Sequence, residues 1–246
     1  MNDSSFVGFA PGEDRSDNMD FRPDDSQVSI IDEEAPMGNG DEDFGFLRQQ
    51  LENTSASNKD WRLESDSSSD NVKIFRKISA KGWSSITLKC IAELDHIPKN
   101  IVLKAISDIK IRVKWDHSLG DLEVLEQDKE HDLTFFRYNM IVPHHMQSRD
   151  AVMVRKVMKD FPEVHQNSIV QRSVDYSRCP ENHRTSVRCD MRMNGMIVED
   201  DTSLRGTRIS WLLQVDLKGC LPSSMLNHLF AKYQADFITA LIKACH

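Results

Sequence analysis

From Val72 to Val215 the chain alternates apolar and polar residues in segment after segment, is interrupted once by a helical stretch, and then closes on one long amphipathic helix. That order leaves few folds open. Val72, Ile74 and Phe75 form one run, and Trp83, Ile86, Leu88, Cys90, Ala92 and Leu94 recur at nearly two-residue spacing, with Lys81-Gly82 as the turn between them; this is the signature of antiparallel strands. The period then changes. Pro98 suits the first turn of a helix, and Ile101, Val102, Ala105, Ile106, Ile109 and Val113 follow three or four apart, so one helix is expected over 98–114. Strands are expected at 122–127, 133–142, 151–158, 169–175, 185–193, 196–200 and 207–215, with turns at Gly120-Asp121, Pro143, Asn194-Gly195 and Gly206. After Leu221-Pro222, with Ser223 or Ser224 as N-cap, the residues Leu226, Leu229, Phe230, Tyr233, Phe237, Leu241 and Ile242 form a broad apolar stripe. A helix of about 22 residues is roughly 33 Å long, enough to cross a small sheet. A long antiparallel sheet with one central and one terminal helix is an α+β architecture, and the sheet must curve around something.

The N-terminal region is of a different kind. Its first 45 residues hold 13 acids against two bases, a charge of −11, whereas the whole chain carries −8. The remaining 29 bases and 26 acids leave +3, so the acidity belongs to the tail and the rest is close to neutral. A basic nucleic-acid groove is not indicated. Residues 1–42 offer few large apolar groups to offset the entropy of ordering and are read as a disordered acidic tail, open to a protein partner. Residues 43–246 are read as the single folded domain. At its start, Phe44, Phe46, Leu47 and Leu51 can share one helix face.

No stretch approaches the roughly 18 consecutive apolar residues of a membrane span, and the start MNDSSFVGFAPGED lacks the basic flank and apolar run of a signal peptide. The five cysteines, Cys90, Cys179, Cys189, Cys220 and Cys245, are an odd number with no CxxC spacing, which fits a reducing compartment rather than a disulfide framework or zinc ribbon. A cytoplasmic protein in peripheral contact with membranes is expected. No GxSxG elbow, phosphate-binding glycine loop or HExxH motif occurs, so no catalytic residue, metal ligand or cofactor is assigned. His144-His145 and His228 read as solvent-facing histidines.

The order of elements, together with KWDHSLGDLEVLE at 114–126, VPHHMQSRDAVMVR at 142–155 and GCLPSSMLNHLFAKYQADF at 219–237, resembles the START family of lipid-transfer domains. The resemblance covers about residues 43–246 and implies a helix-grip fold: a curved antiparallel sheet wrapped around the C-terminal helix, enclosing a lipid tunnel, with that helix and the loop before Arg149-Asp150 as a movable lid. It also implies site residues. In the phosphatidylcholine-transfer subgroup, which the chain resembles most, Arg112 falls where an arginine lies near the lipid phosphate and Tyr138 falls on one wall of a choline cage, whose second aromatic is replaced here by Ala151. In cholesterol-type members, Asp121 and Arg149 fall on a buried acid–arginine pair. The implied ligand is therefore a phosphatidylcholine-like lipid or a sterol, with the phospholipid preferred because Arg112 and Tyr138 share one headgroup site. Met146, Leu221, Met225 and Leu226 are the implied lid and membrane-docking residues. Two alternatives stand beside a lipid carrier: a non-catalytic lipid-dependent scaffold or sensor, and an enzyme of the wider helix-grip superfamily.

Overall fold

The computed structural model describes residues 40–52, 60–67, 71–78, 85–140, 147–203, 205–219 and 223–246. The chain opens with a helix, α1 (Gly40–Glu52), followed by strands β1 (Trp61–Ser67), β2 (Val72–Lys77) and β3 (Ser85–Leu94). Two short helices, α2 (Lys99–Ser107) and α3 (Ile109–Trp115), lead to β4 (Leu119–Asp128), β5 (Leu133–Met140), β6 (Arg149–Lys159) and β7 (Gln166–Ser173). The short β8 (Val187–Arg188), then β9 (Asp190–Asp201) and β10 (Gly206–Asp216), precede the closing helix α4 (Ser223–Cys245). One sheet runs in the order β1-β2-β3-β10-β9-β7-β6-β5-β4, antiparallel throughout, with β8 paired in parallel to β6. The expected α+β architecture is present, and α1 starts at Gly40, taking in the last three residues of the acidic region. The expected Lys81-Gly82 turn, Pro143 and His144-His145 lie outside the described residues.

Strand alternation sends side chains to two separate cores. On one face, Ile209, Trp211, Leu213 and Val215 of β10 join Ile74, Leu88 and Cys90 beneath Leu226, Phe230, Phe237, Ile238 and Leu241 of α4. Trp211 lies at the centre, its ring centroid 4.8 Å from that of Phe237 and 5.8 Å from that of Tyr233. On the opposite face, Phe44, Leu47 and Leu51 of α1 cover Val170, Met193, Ile197 and Leu212. Lys89 also lies on this side, its ammonium 4.3 Å from the Trp61 ring centroid, and burial lowers its pKa to about 8.

Three sequence expectations are corrected here, one being the turn at Gly120-Asp121, which lies within β4 at a register shift. The single helix over 98–114 is two helices, because the Asp108 carboxylate accepts from the backbone N–H groups of Lys110 and Ile111 and caps a second helix instead of continuing the first. The turn expected at Asn194-Gly195 is the middle of β9. Both residues have other tasks: Asn194 Oδ1 accepts from the Trp211 indole at 2.7 Å, and a Cβ on Gly195 would stand 2.7 Å from Leu47 Cδ1. The glycine is there so that α1 can approach the sheet. β1 was not foreseen as a strand, since its sequence WRLESDS is largely polar and it lies at the edge of the sheet order.

Candidate functional site

The site begins with spacing on a helix. Arg112 and Asp116 lie four residues apart, within reach of one another on a helical surface, and α3 places both against the core beneath α4. Their side chains are 7% and 1% exposed, and Arg112 Nε donates to Asp116 Oδ2 at 3.0 Å. The Arg112 guanidinium also stacks over Phe237, with Cζ 5.5 Å from the ring centroid. Asp116 holds the turn that follows, accepting from the Ser118 backbone N–H at 3.2 Å and from the Ser118 hydroxyl. Trp115, between the two charges, donates its indole N–H to the Ala105 carbonyl and so ties α3 to α2.

Next to this pair lies a partly open cavity of about 80 Å³ between α4 and the sheet. Ser118, Tyr138, Asn194 and Tyr233 give it polar groups, and the rest of its wall is apolar, including Met140, Met191 and Phe230. Burial first, then the nearby Asp116 carboxylate, pushes the Tyr233 phenol up to about 12. Burial also holds Tyr138 well above the usual phenol value. Both remain neutral hydroxyls, able to donate and accept. Burial pushes the Cys90 and Cys189 thiols up to about 12, so neither is a thiolate nucleophile. A larger hollow of about 430 Å³ between Lys114 and the end of α4 is open and flanked by Asp236 and Lys243. It lacks the enclosing apolar walls that a lipid tail requires.

The structure gathers two of the expected ligand residues and separates the others. Tyr138 lines the cavity and Arg112 does not, but the two are close enough for the guanidinium to act on the phenol. Asp121 is exposed on β4, beyond a register shift between Leu119 and Asp121, and among the described residues it forms no ion pair with Arg149. Arg149 is buried and turns instead to backbone, donating to the carbonyls of Leu217 at 3.4 Å, Lys218 at 3.3 Å and Gln147. It thereby pins the segment that leads into α4. The buried acid on that strand is Asp150, which receives Arg188 Nε at 3.1 Å, Arg188 Nη2 at 3.0 Å and Arg137 Nε at 3.0 Å. Of the docking residues, Met225 is partly buried and Leu226 fully so, while Met146 and Leu221 lie outside the described residues.

Sequence reasoning passed over Asp116, Ser118, Asn194 and Tyr233 as site residues. The i, i+4 spacing of Arg112 and Asp116 was a usable signal. Tyr233 was hidden inside an apolar stripe in which its hydroxyl looked incidental.

The profile of the START domain family matches residues 46–246. START domain-containing protein 10 of Mus musculus and of Homo sapiens are each 23% identical over 159 residues, which cover 64% of this chain and 52% of the relative. The match thus spans about half the length of those relatives. Among solved structures, human STARD10 aligns with a TM-score of 0.71 at 20% identity, covering 87% of this chain and 82% of that one. Human StAR-related lipid transfer protein 5 aligns with a TM-score of 0.67 at 17% identity, covering 82% and 93%. At these identities the likeness is one of fold.

Proposed function

Because the chain belongs to the START domain family, we propose that it takes up one lipid, a phospholipid in preference to a sterol, between α4 and the sheet and carries it through the cytoplasm between membranes. The observation that supports this reading is a polar cluster beside a largely apolar cavity: Ser118, Tyr138, Asn194 and Tyr233 line it, Ser118 links it to the Arg112–Asp116 pair, and the remaining wall is apolar. A diacyl lipid has the same division. With Nε committed to Asp116, the two terminal nitrogens of Arg112 would meet a phosphate, and the phenols of Tyr138 and Tyr233 would donate to its ester oxygens, since the Ser118 proton goes to Asp116.

Loading requires movement. Sites for drug-sized ligands span ~300–1,000 Å³, and a cavity of about 80 Å³ accommodates no diacyl lipid. In the proposed cycle the end of β10 and the residues to Gly219 give way, and the first turns of α4 swing away, when Arg149 releases the Leu217 and Lys218 carbonyls. Met225 and the residues around it then meet the bilayer. Acyl chains pass from one apolar surroundings to another at little cost, so the barrier lies in opening and in the headgroup. We assign no catalysis: the phenols are neutral and the buried cysteines are thiols. The acidic segment of residues 1–42 is assigned to protein contacts outside lipid binding.

The test is transfer between vesicles. Labelled phosphatidylcholine is expected to move from donor to acceptor vesicles with protein concentration, and faster than labelled cholesterol. Equal or faster movement of cholesterol overturns the phospholipid preference, and movement of neither overturns the carrier reading.

A further inference from the structure

Gln234 is a fully buried side chain in the middle of the apolar face of α4, and neither its amide oxygen nor its amide nitrogen has a hydrogen-bond partner among the described residues. Rotation of about 100° per residue sets it between Phe230, Phe237 and Leu241 on one side and Ala231 and Ile238 on the other. All five of those neighbours belong to the core. Native interiors leave few such groups unpaired, because an amide stripped of water without a partner is costly. A leucine or methionine at this position would bury as well and avoid that cost. The amide is accounted for if a partner arrives with the ligand.

The position favours that account. Phe230 and Tyr233, one turn before and one residue before Gln234, line the cavity, and helical side chains lean towards the preceding turn. Phe237, which the Arg112 guanidinium covers at 5.5 Å, lies three residues further on, or about 4.5 Å along the axis. A phosphate at Arg112 and a hydrogen-bonding group at Gln234 would therefore be about one helical turn apart. In a glycerophospholipid the phosphate and the acyl ester carbonyls are separated by the short glycerol unit, a comparable span.

We propose that Gln234 is a second lipid contact, whose amide N–H donates to an acyl ester carbonyl once the interior has opened to admit the ligand. This rests on the phospholipid reading above and adds to it: recognition extends past the phosphate to the ester linkage, so the protein distinguishes diacyl lipids from their dialkyl ether counterparts. The orphaned amide in the closed state and the contact in the loaded state are two aspects of one arrangement.

Wild-type protein, Gln234→Met and Gln234→Leu are each incubated with vesicles of diacyl phosphatidylcholine or of its diether analogue, and bound lipid per chain is measured by mass spectrometry at limiting vesicle concentration. The wild type is expected to prefer the diacyl lipid. Both variants should take up about three- to tenfold less of it, the range of one net hydrogen bond, while uptake of the diether lipid stays at the wild-type level. The lipid-free thermal midpoint of the variants should equal or exceed that of the wild type, since an unpaired amide has been removed. Diacyl uptake unchanged by both substitutions, or equal loss of both lipids, overturns the inference and leaves the phospholipid reading standing. A wild type that binds neither lipid overturns both.

Discussion

An Asp150→Ala protein is expected to lose about 3–5 kcal/mol of stability, the usual consequence of removing one partner from a buried ion pair. Asp150 is 1% exposed and is the common acceptor for guanidinium groups from two other strands, Arg137 of β5 and Arg188 of β8. Without it two partly buried cations face each other across β6. Since single domains have only about 5–15 kcal/mol in total, much of the population should be unfolded well below the wild-type midpoint. The acid limb of stability should report the same group. Burial alone would push the Asp150 carboxyl up, but the bonds from Arg188 and Arg137 outweigh it and hold the group below the usual carboxylate range. Its contribution is thus fully present above the ordinary value of about 3.9 and is lost as pH falls through the lower folded value. Urea denaturation of both proteins from neutral pH downwards checks this. A loss under about 1 kcal/mol at neutral pH would mean that the arginines find other partners.

The second large effect concerns lipid. Arg112→Ala is expected to lower phospholipid affinity about 10- to 100-fold, the range for a charge-assisted contact of ~1.5–3 kcal/mol, with little effect on a sterol. The same substitution strands the Asp116 carboxylate, whose side chain is 1% exposed, so a loss of binding and a loss of fold must be separated. A double variant, Arg112→Met with Asp116→Leu, does so. Replacing both members of a buried pair by apolar residues is often neutral for stability, yet it removes the positive charge that would meet a phosphate. This protein should fold and fail to transfer phosphatidylcholine. Wild-type transfer by a folded double variant would show that the phosphate is held elsewhere.

Much of the fold was legible because its periodicities are strong. The stripe from Leu226 to Ile242 is the buried face of α4, and the alternation from Ile86 to Leu94 is β3 with its even positions inward. What escaped were places where one residue serves a distant element. Asp108 splits a helix by capping, Gly195 makes room for Leu47 some 150 residues earlier in the chain, and Asn194 serves the indole of Trp211. In sequence the last two read as a turn, since Asn-Gly favours turns wherever no long-range contact intervenes. The site was legible in part for the same reason. The Arg112 guanidinium acts on the Tyr138 phenol, but the expected partnership of Asp121 and Arg149 depended on register: a shift at the start of β4 leaves Asp121 outside, and carbonyls before α4 occupy Arg149.

The small volume beside Tyr138 and Tyr233 gives the account its sharpest consequence. A protein that carries lipid must exist in a more open or expanded form whenever its interior is loaded, and the polar end formed by Arg112, Asp116 and Ser118 must then engage a headgroup. Native mass spectrometry of the full chain purified without detergent tests this most directly. A bound species heavier than the chain by the mass of one phospholipid is expected, released by organic extraction at about one molecule per chain. A spectrum that shows the bare chain alone, and remains so after incubation with phosphatidylcholine vesicles, would contradict it.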